Sequence, residues 1–157
     1  MKKYIFTSIA SLTVGILGAV SADASPIQKI QTESAAKVLG NYSQAISVDL
    51  QKTKNLVFVA GQVAIDPATG ELLEGDIYTA TRQTLDNIEA ILKASGSDWE
   101  HVVRMDVFLR DFNDWDGMNE EYAKRFPSGV FPARQTVEVG MENRVEISCI
   151  AVVPLNQ

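Results

Sequence analysis

Cysteine and histidine are nearly missing from this chain, which carries Cys149 and His101 as the single example of each. One cysteine excludes an intrachain disulfide. One histidine without a cysteine partner leaves no ligand set for zinc, and no motif supports a Ser-His-Asp triad, so no metal or cofactor is expected. Cys149 lies in the apolar run 145–153 and reads as a buried, inert thiol. His101, beside Trp99 where one element gives way to the next, reads as a boundary residue.

Basic residues are also in short supply. Fourteen Lys and Arg stand against 20 Asp and Glu, a net charge of −6. Binding along a phosphate backbone needs clustered positive charge, so nucleic acid is not an expected partner. Any anion must be captured by a local arginine against the global field. Long apolar runs are scarce too. Residues 4–20 are mainly apolar, but Ser8, Ser11 and Thr13 interrupt them, and the run is shorter than the roughly 20 residues of a spanning helix. Met1-Lys2-Lys3 precedes this run and Ala22-Asp23-Ala24 follows it as a small-x-small site. The segment 1–24 therefore reads as a cleaved secretory signal peptide, which implies export, with the periplasm as the expected compartment and no membrane attachment after cleavage. Residues 25–157 then form one domain with net charge −7, because Lys2, Lys3 and Asp23 depart with the leader.

The pattern of what is present is α+β. Residues 27–34 suggest a first strand, and residues 43–48 and 55–62 suggest a hairpin. Asp66-Pro67-Ala68-Thr69-Gly70 is turn chemistry, with proline presetting φ and glycine allowing a positive φ. From 76 to 95, Ile77, Thr81, Leu85, Ile88, Ile91 and Leu92 recur at helical spacing, and Gly96 supplies a stop. Arg82 and Asp86 fall at i, i+4, the spacing of a solvated salt bridge. Residues 101–109 alternate as a strand with Val103, Met105, Val107 and Leu109 on one face. Asn113 or Asp114 can cap a second helix carrying Trp115, Met118, Tyr122 and Phe126 on one stripe. Strands over 131–139 and 145–152 close an order βββαβαββ, a mixed sheet with two helices on one face.

Those last two strands hold the residues with chemical promise. Arg134 and Thr136 share one side of the first, and Glu146 and Ser148 share one side of the second. If the strands pair, the arginine and the glutamate can meet. A guanidinium fork holds a carboxylate by two parallel hydrogen bonds, and a nearby glutamate can take a proton from water. The pair suits hydrolysis of a small anionic substrate. Taken singly, Arg134 reads as a salt-bridge residue, Glu146 as a solvent-facing strand residue, Tyr42 as packing, Asn119 as a surface amide and Gly61 as a site of close strand approach.

Wider motifs change that balance. Tyr42-Ser43-Gln44-Ala45, residues 56–62 (LVFVAGQ), 65–71 (IDPATGE), 81–88 (TRQTLDNI), Met118-Asn119-Glu120-Glu121-Tyr122 and Phe131-Pro132-Ala133-Arg134 resemble, in order, the RidA/YjgF family. The resemblance implies a chorismate-mutase-like fold assembled as a homotrimer, with pockets in the clefts between subunits. It implies hydrolysis of reactive 2-imino and enamine acids, such as 2-aminoacrylate and 2-iminopropanoate, to 2-oxo acids and ammonia without cofactor. Under it, Arg134 grips the substrate carboxylate, Glu146 positions or activates water, Tyr42 and Asn119 line the pocket, and the backbone approaches substrate at Gly61 and Thr136. The alternative is a non-catalytic trimer that binds small carboxylates or acts like a chaperone. Some relatives are reported as ribonucleases, a reading the −7 charge disfavours. The chain departs from the family pattern at Asn41, Ala60 and Ser148, where proline, serine and glutamate are common, and these positions bear on substrate range.

Overall fold

A computed structural model describes residues 25–155; the expected leader, residues 1–24, lies outside them. Two chain reversals near the start decide the topology. Strand β1 (Ile27–Ile30) pairs antiparallel with β2 (Ala45–Val48), as a ribbon separate from the main sheet. A turn of 3-10 helix at Leu50–Lys52, capped by the Asp49 carboxylate, then redirects the chain into β3 (Thr53–Gln62). The hairpin expected between residues 43–48 and 55–62 is therefore not formed. With the 3-10 turn between them, β2 returns to β1 and β3 is free to pair elsewhere.

Helix α1 (Ile77–Ala94) begins where the Asp76 side chain accepts from the Thr79 N–H at 2.8 Å, and ends before Gly96, whose φ of +74° suits only glycine without strain. Its buried residues Ile77, Ala80, Thr81, Thr84, Leu85, Ile88 and Leu92 form one stripe. Each buried leucine or isoleucine contributes about 1.5–3 kcal/mol, and Leu85→Ala costs about 2–5 kcal/mol with its cavity. Strand β4 (Val102–Leu109) follows, with Met105, Val107 and Leu109 buried as expected. A register shift between Val102 and Arg104 buries Val102 in place of Val103. Helix α2 (Trp115–Ala123) starts at Asp114, but that carboxylate makes no cap and holds Arg144 at 2.9 Å instead.

Strands β5 (Ala133–Glu138) and β6 (Val145–Pro154) complete a four-stranded mixed sheet in the order β3-β6-β4-β5. Only the β4–β5 pair is parallel. The expected pairing of the last two strands is corrected by this order: β4 lies between them. The physical reason is visible in the connections. The segment between β4 and β5 contains α2, long enough for the crossover a parallel pair requires. The nearly continuous apolar run of β6 suits an inner position, satisfied by a neighbour on each edge.

Both helices cover one face of the sheet, where Val59, Met105, Val107, Ile147 and Cys149 are buried with Leu85, Ile88, Met118 and Tyr122. The other face carries Leu56, Phe58 and Val137, exposed by 46%, 71% and 39%. No helix among the described residues is long and apolar enough to cross a membrane.

Candidate functional site

Arg134 sits at the second residue of edge strand β5, level with Met105 of β4 and, across it, with Cys149 of β6. Level residues share a face, so Arg134 points to the helix-covered side. There one face of α2 meets it. Its Nη1 donates to Asn119 Oδ1 at 2.8 Å, and the guanidinium lies over the rings of Tyr122 at 4.7 Å and Trp115 at 5.6 Å. Asn119 is fixed in turn, its Nδ2 donating to the Trp115 carbonyl at 3.1 Å. Asn41 donates to the Asn119 carbonyl at 3.5 Å, which ties the loop before β2 to the same place.

That loop delivers Tyr42. The Ser43 N–H donates to the Pro132 carbonyl at 3.0 Å, its hydroxyl donates to the Phe131 carbonyl, and Ser43 bridges to Ala133 at the start of β5. Tyr42 thereby stands beside Arg134, close enough for its phenol to favour the charged guanidinium. Burial acts first and pulls Arg134 below the ordinary guanidinium range, and Tyr122 and then Tyr42 oppose it. A guanidinium remains charged throughout the physiological range even so.

What Arg134 lacks is a counter-ion. Arg82 pairs with Glu121, Arg104 with Asp106, Arg125 with Asp86 and Glu89, and Arg144 with Asp114. No carboxylate is paired with Arg134 among the described residues. The expected Arg82–Asp86 pair is likewise replaced, because Arg82 pairs with Glu121 of α2 and Asp86 with Arg125 just beyond its end. A half-buried cation held only by a neutral amide and aromatic faces is a costly arrangement unless an anion arrives. Thr136 lies two residues along the same face, and its buried Oγ1 has no partner among the described residues.

Glu146 and Gly61 form a second cluster. Glu146 is level with Phe108 and, through it, with Val137, all on the sheet face away from the helices. The ladder puts Glu146 and Arg134 two strands and three residues apart, on the order of 14 Å between their Cα atoms, with side chains on opposite faces. Within one chain they do not meet, because strand β4 separates them. The Glu146 carboxylate instead lies against Gly61, in an irregular stretch of β3 where the register shifts between Val59 and Gln62. A side chain at position 61 would occupy the space of the Glu146 carboxylate, so this close approach requires glycine.

The structure thus gathers Arg134, Asn119, Tyr42 and Thr136 at one edge and Glu146 with Gly61 nearer the other. Trp115 and Tyr122, the platform under the guanidinium, were legible only as an apolar stripe; aromatic residues one helical turn on either side of Asn119 were the available signal. Cys149 is buried and its thiol is pushed up to about 12 by desolvation, in keeping with an inert role. His101 Nδ1 lies 2.7 Å from Asp98 Oδ1 at the foot of β4, away from both clusters.

Known proteins resemble this chain over most of its length. The model of the family described as endoribonuclease L-PSP matches residues 32–153. A RutC family protein of Pyrococcus horikoshii is 47% identical over 125 residues, 78% of this chain and 94% of the relative. The 2-iminobutanoate/2-iminopropanoate deaminase of Capra hircus is 40% identical over 126 residues, 78% of this chain and 88% of the relative. Among solved structures, E. coli TdcF with bound serine superposes with a TM-score of 0.59 at 32% identity, covering 80% of this chain and 98% of that one.

Proposed function

Because the chain belongs to the endoribonuclease L-PSP family, also called RidA/YjgF, we propose that it deaminates small reactive 2-imino and enamine acids, of the 2-aminoacrylate/2-iminopropanoate type, by hydrolysis to 2-oxo acids and ammonia. The observation that carries this reading is Arg134, a desolvated guanidinium fixed by Asn119 and lacking a carboxylate partner among the described residues. The substrate carboxylate is that partner. Bidentate binding holds the adjacent C=N carbon in one position, so attack by water becomes effectively intramolecular.

Glu146 takes a proton from water as its oxygen bonds to the imine carbon, and the C=N electron pair moves to nitrogen. That proton passes to the nitrogen, giving a carbinolamine; the hydroxyl proton follows it by way of the same carboxylate, the C–N bond breaks, and ammonia leaves as the carbonyl forms. An enamine enters the same route once a proton has moved to its terminal carbon. The reaction consumes one water and leaves no oxidation state changed. Tyr42 closes the arginine side of the pocket, and the backbone at Gly61 and Thr136 offers dipoles to the substrate.

In this reading the working unit is a homotrimer. Arg134 and Glu146 lie on opposite faces of one sheet, so a cleft between subunits, with Arg134 from one and Glu146 from its neighbour, unites them. The apolar outer face at Leu56, Phe58 and Val137 supplies surface for such an assembly, and closed symmetry gives identical sites. We assign residues 1–24 to a cleaved leader and the working compartment to the periplasm, on the basic start, apolar run and small-x-small site.

The test is ammonia release from 2-aminoacrylate generated in situ, with and without the purified mature protein. Acceleration that Arg134→Ala abolishes is expected; equal rates with and without protein end the proposal. Saturable binding of 2-oxobutanoate with no turnover would favour the alternative, a non-catalytic carboxylate-binding trimer. A monomer in sedimentation would remove the shared-cleft site.

A further inference from the structure

Tyr122 belongs to a cluster of aromatic rings at the end of α2. Its ring lies 5.0 Å from that of Phe126 and 6.1 Å from that of Phe131, and those two lie 5.5 Å from each other. Packing of this kind needs no oxygen, and the two neighbours carry none. Tyr122 carries one at a fully buried position, where its hydroxyl has no hydrogen-bond partner among the described residues. A buried hydroxyl left this way costs free energy that phenylalanine would not incur. What separates Tyr122 from the two phenylalanines is the charge above it, the Arg134 guanidinium, 4.7 Å from its ring centre. The two groups act on each other. Burial pushes the phenol above its ordinary value while Arg134 pulls the other way, and at Arg134 the phenol of Tyr122 offsets burial more than that of Tyr42 does. The phenol therefore stays neutral at any working pH, with an oxygen able to accept from the guanidinium.

A guanidinium has several N–H donors in a fixed fork. One of them, on Nη1, goes to Asn119 Oδ1 at 2.8 Å, and a carboxylate held by the fork takes two more. Donors remain, and the Tyr122 oxygen is a buried acceptor beside them with no other claim on it. We propose that the Tyr122 hydroxyl is a positioning group of the site: it accepts from the Arg134 guanidinium when a carboxylate docks there, and so fixes the plane in which that carboxylate is held. It does not touch the substrate, because its oxygen is buried beneath the guanidinium, and it acts through Arg134 alone. The inference rests on carboxylate capture by Arg134 in the reading above, and not on the hydrolysis that follows.

The experiment compares the wild type with Tyr122→Phe, which keeps the ring and its packing and removes only the oxygen. Calorimetry with pyruvate reads the carboxylate site directly, and kinetics on 2-aminoacrylate generated in situ read KM and kcat. The expected result is a Kd and a KM about tenfold higher, the weight of one hydrogen bond to a charged group. The kcat should be unchanged, because the loss is one of uniform binding. The melting temperature without ligand should hold or rise. Phe126→Leu is the packing control: it loosens the same cluster, but the rings over the guanidinium are those of Trp115 and Tyr122, so it should lower the melting temperature and leave Kd alone. An unchanged Kd in Tyr122→Phe, or an equal rise in both variants, overturns the inference. Should Tyr122→Phe not fold, ultraviolet Raman spectra of the mature Tyr42→Phe protein decide. Their tyrosine bands shift on saturation with pyruvate if Tyr122 gains a hydrogen bond, and fixed bands overturn the inference; the other tyrosine, Tyr78, faces Glu120. Pyruvate binding that responds as expected while no imine is turned over would end the deaminase reading and leave this inference standing. Pyruvate that binds neither protein overturns the inference together with Arg134 as a carboxylate site.

Discussion

Arg125 and Arg134 stand at opposite ends of the loop between α2 and β5, and each guanidinium lies over an aromatic ring, Trp99 for one and Tyr122 and Trp115 for the other. Their company otherwise differs in kind. Arg125 spans two carboxylates of α1, Asp86 at 2.5 Å and Glu89 at 2.8 Å, and also reaches the Arg82 carbonyl, so it stitches the helical layer together. Arg134 has a neutral amide and no carboxylate among the described residues. In the proposed reading, Arg125 is structural because its charge is answered internally, and Arg134 is functional because its desolvated charge is left for the substrate to answer. Burial of polar groups without partners costs free energy, so an arginine left this way marks where the fold waits for something from outside.

The largest effect should come from breaking Arg134. Arg134→Ala is expected to lower kcat/KM for imine hydrolysis roughly a thousandfold, since truncating one half of a desolvated charge pair costs about 2–5 kcal/mol. Thermal stability should hold or rise slightly, because the variant removes an unanswered charge. Arg125→Ala should do the reverse: activity near wild type, with stability lower by about 1–2 kcal/mol from lost ion pairs and lost packing of its stem on Trp99. Parallel kinetics and thermal melts read both quantities. If both variants lose activity alike at full foldedness, the division between the two arginines is wrong.

Glu146→Gln sharpens the comparison on the catalytic side. The amide keeps the shape against Gly61 but cannot take a proton, so kcat should fall about 10²–10⁴-fold. Affinity for a 2-oxo acid held by Arg134 should change little. Asn119→Ala comes next, at about tenfold in KM, because the guanidinium keeps its aromatic platform while losing the Asn119 Oδ1 acceptor that fixes it. A Glu146→Gln enzyme of undiminished kcat would remove the glutamate from the mechanism.

The element pattern was plain in the sequence because it rests on local periodicity: the α1 stripe with its Gly96 stop, the alternation in β4, the apolar run of β6. What periodicity does not carry is which strand lies beside which. Alternation gave the faces of Arg134 and Glu146 within their own strands, and the structure keeps both. It did not reveal that α2 makes the β4–β5 connection a parallel crossover, which inserts β4 between them. The same limit explains Arg82 and Asp86. Their i, i+4 spacing was real, but Glu121 of α2 and Arg125 of the loop that follows it outcompete that pair. The Arg134 site was legible through its motif, whereas the Trp115 and Tyr122 platform was hidden by serving the core as well.

The smallest expected effect lies in the acid limb of stability, where answered and unanswered charges again part. Glu121 is buried, and desolvation alone would raise its carboxyl; Arg82 and Lys124 outweigh that and hold it below the ordinary value of 4.5. Glu89 is held low chiefly by Lys93, against desolvation and with Trp99 and Arg125 assisting. A carboxyl depressed in the folded state contributes stability that is present at neutral pH and is lost as pH falls through its folded value. The melting temperature should therefore decline below about pH 4.5, and Glu121→Gln should flatten part of that decline. The flattening should amount to less than about 1 kcal/mol, because Arg82 and Lys124 are more than half exposed and their pairing is screened. Arg134 brings no carboxylate of its own, so Arg134→Ala should leave the acid limb unchanged. Added pyruvate should raise the melting temperature of the wild type at neutral pH and not that of the variant. A melting curve that moves equally in both would mean the 2-oxo acid binds somewhere other than the unanswered guanidinium.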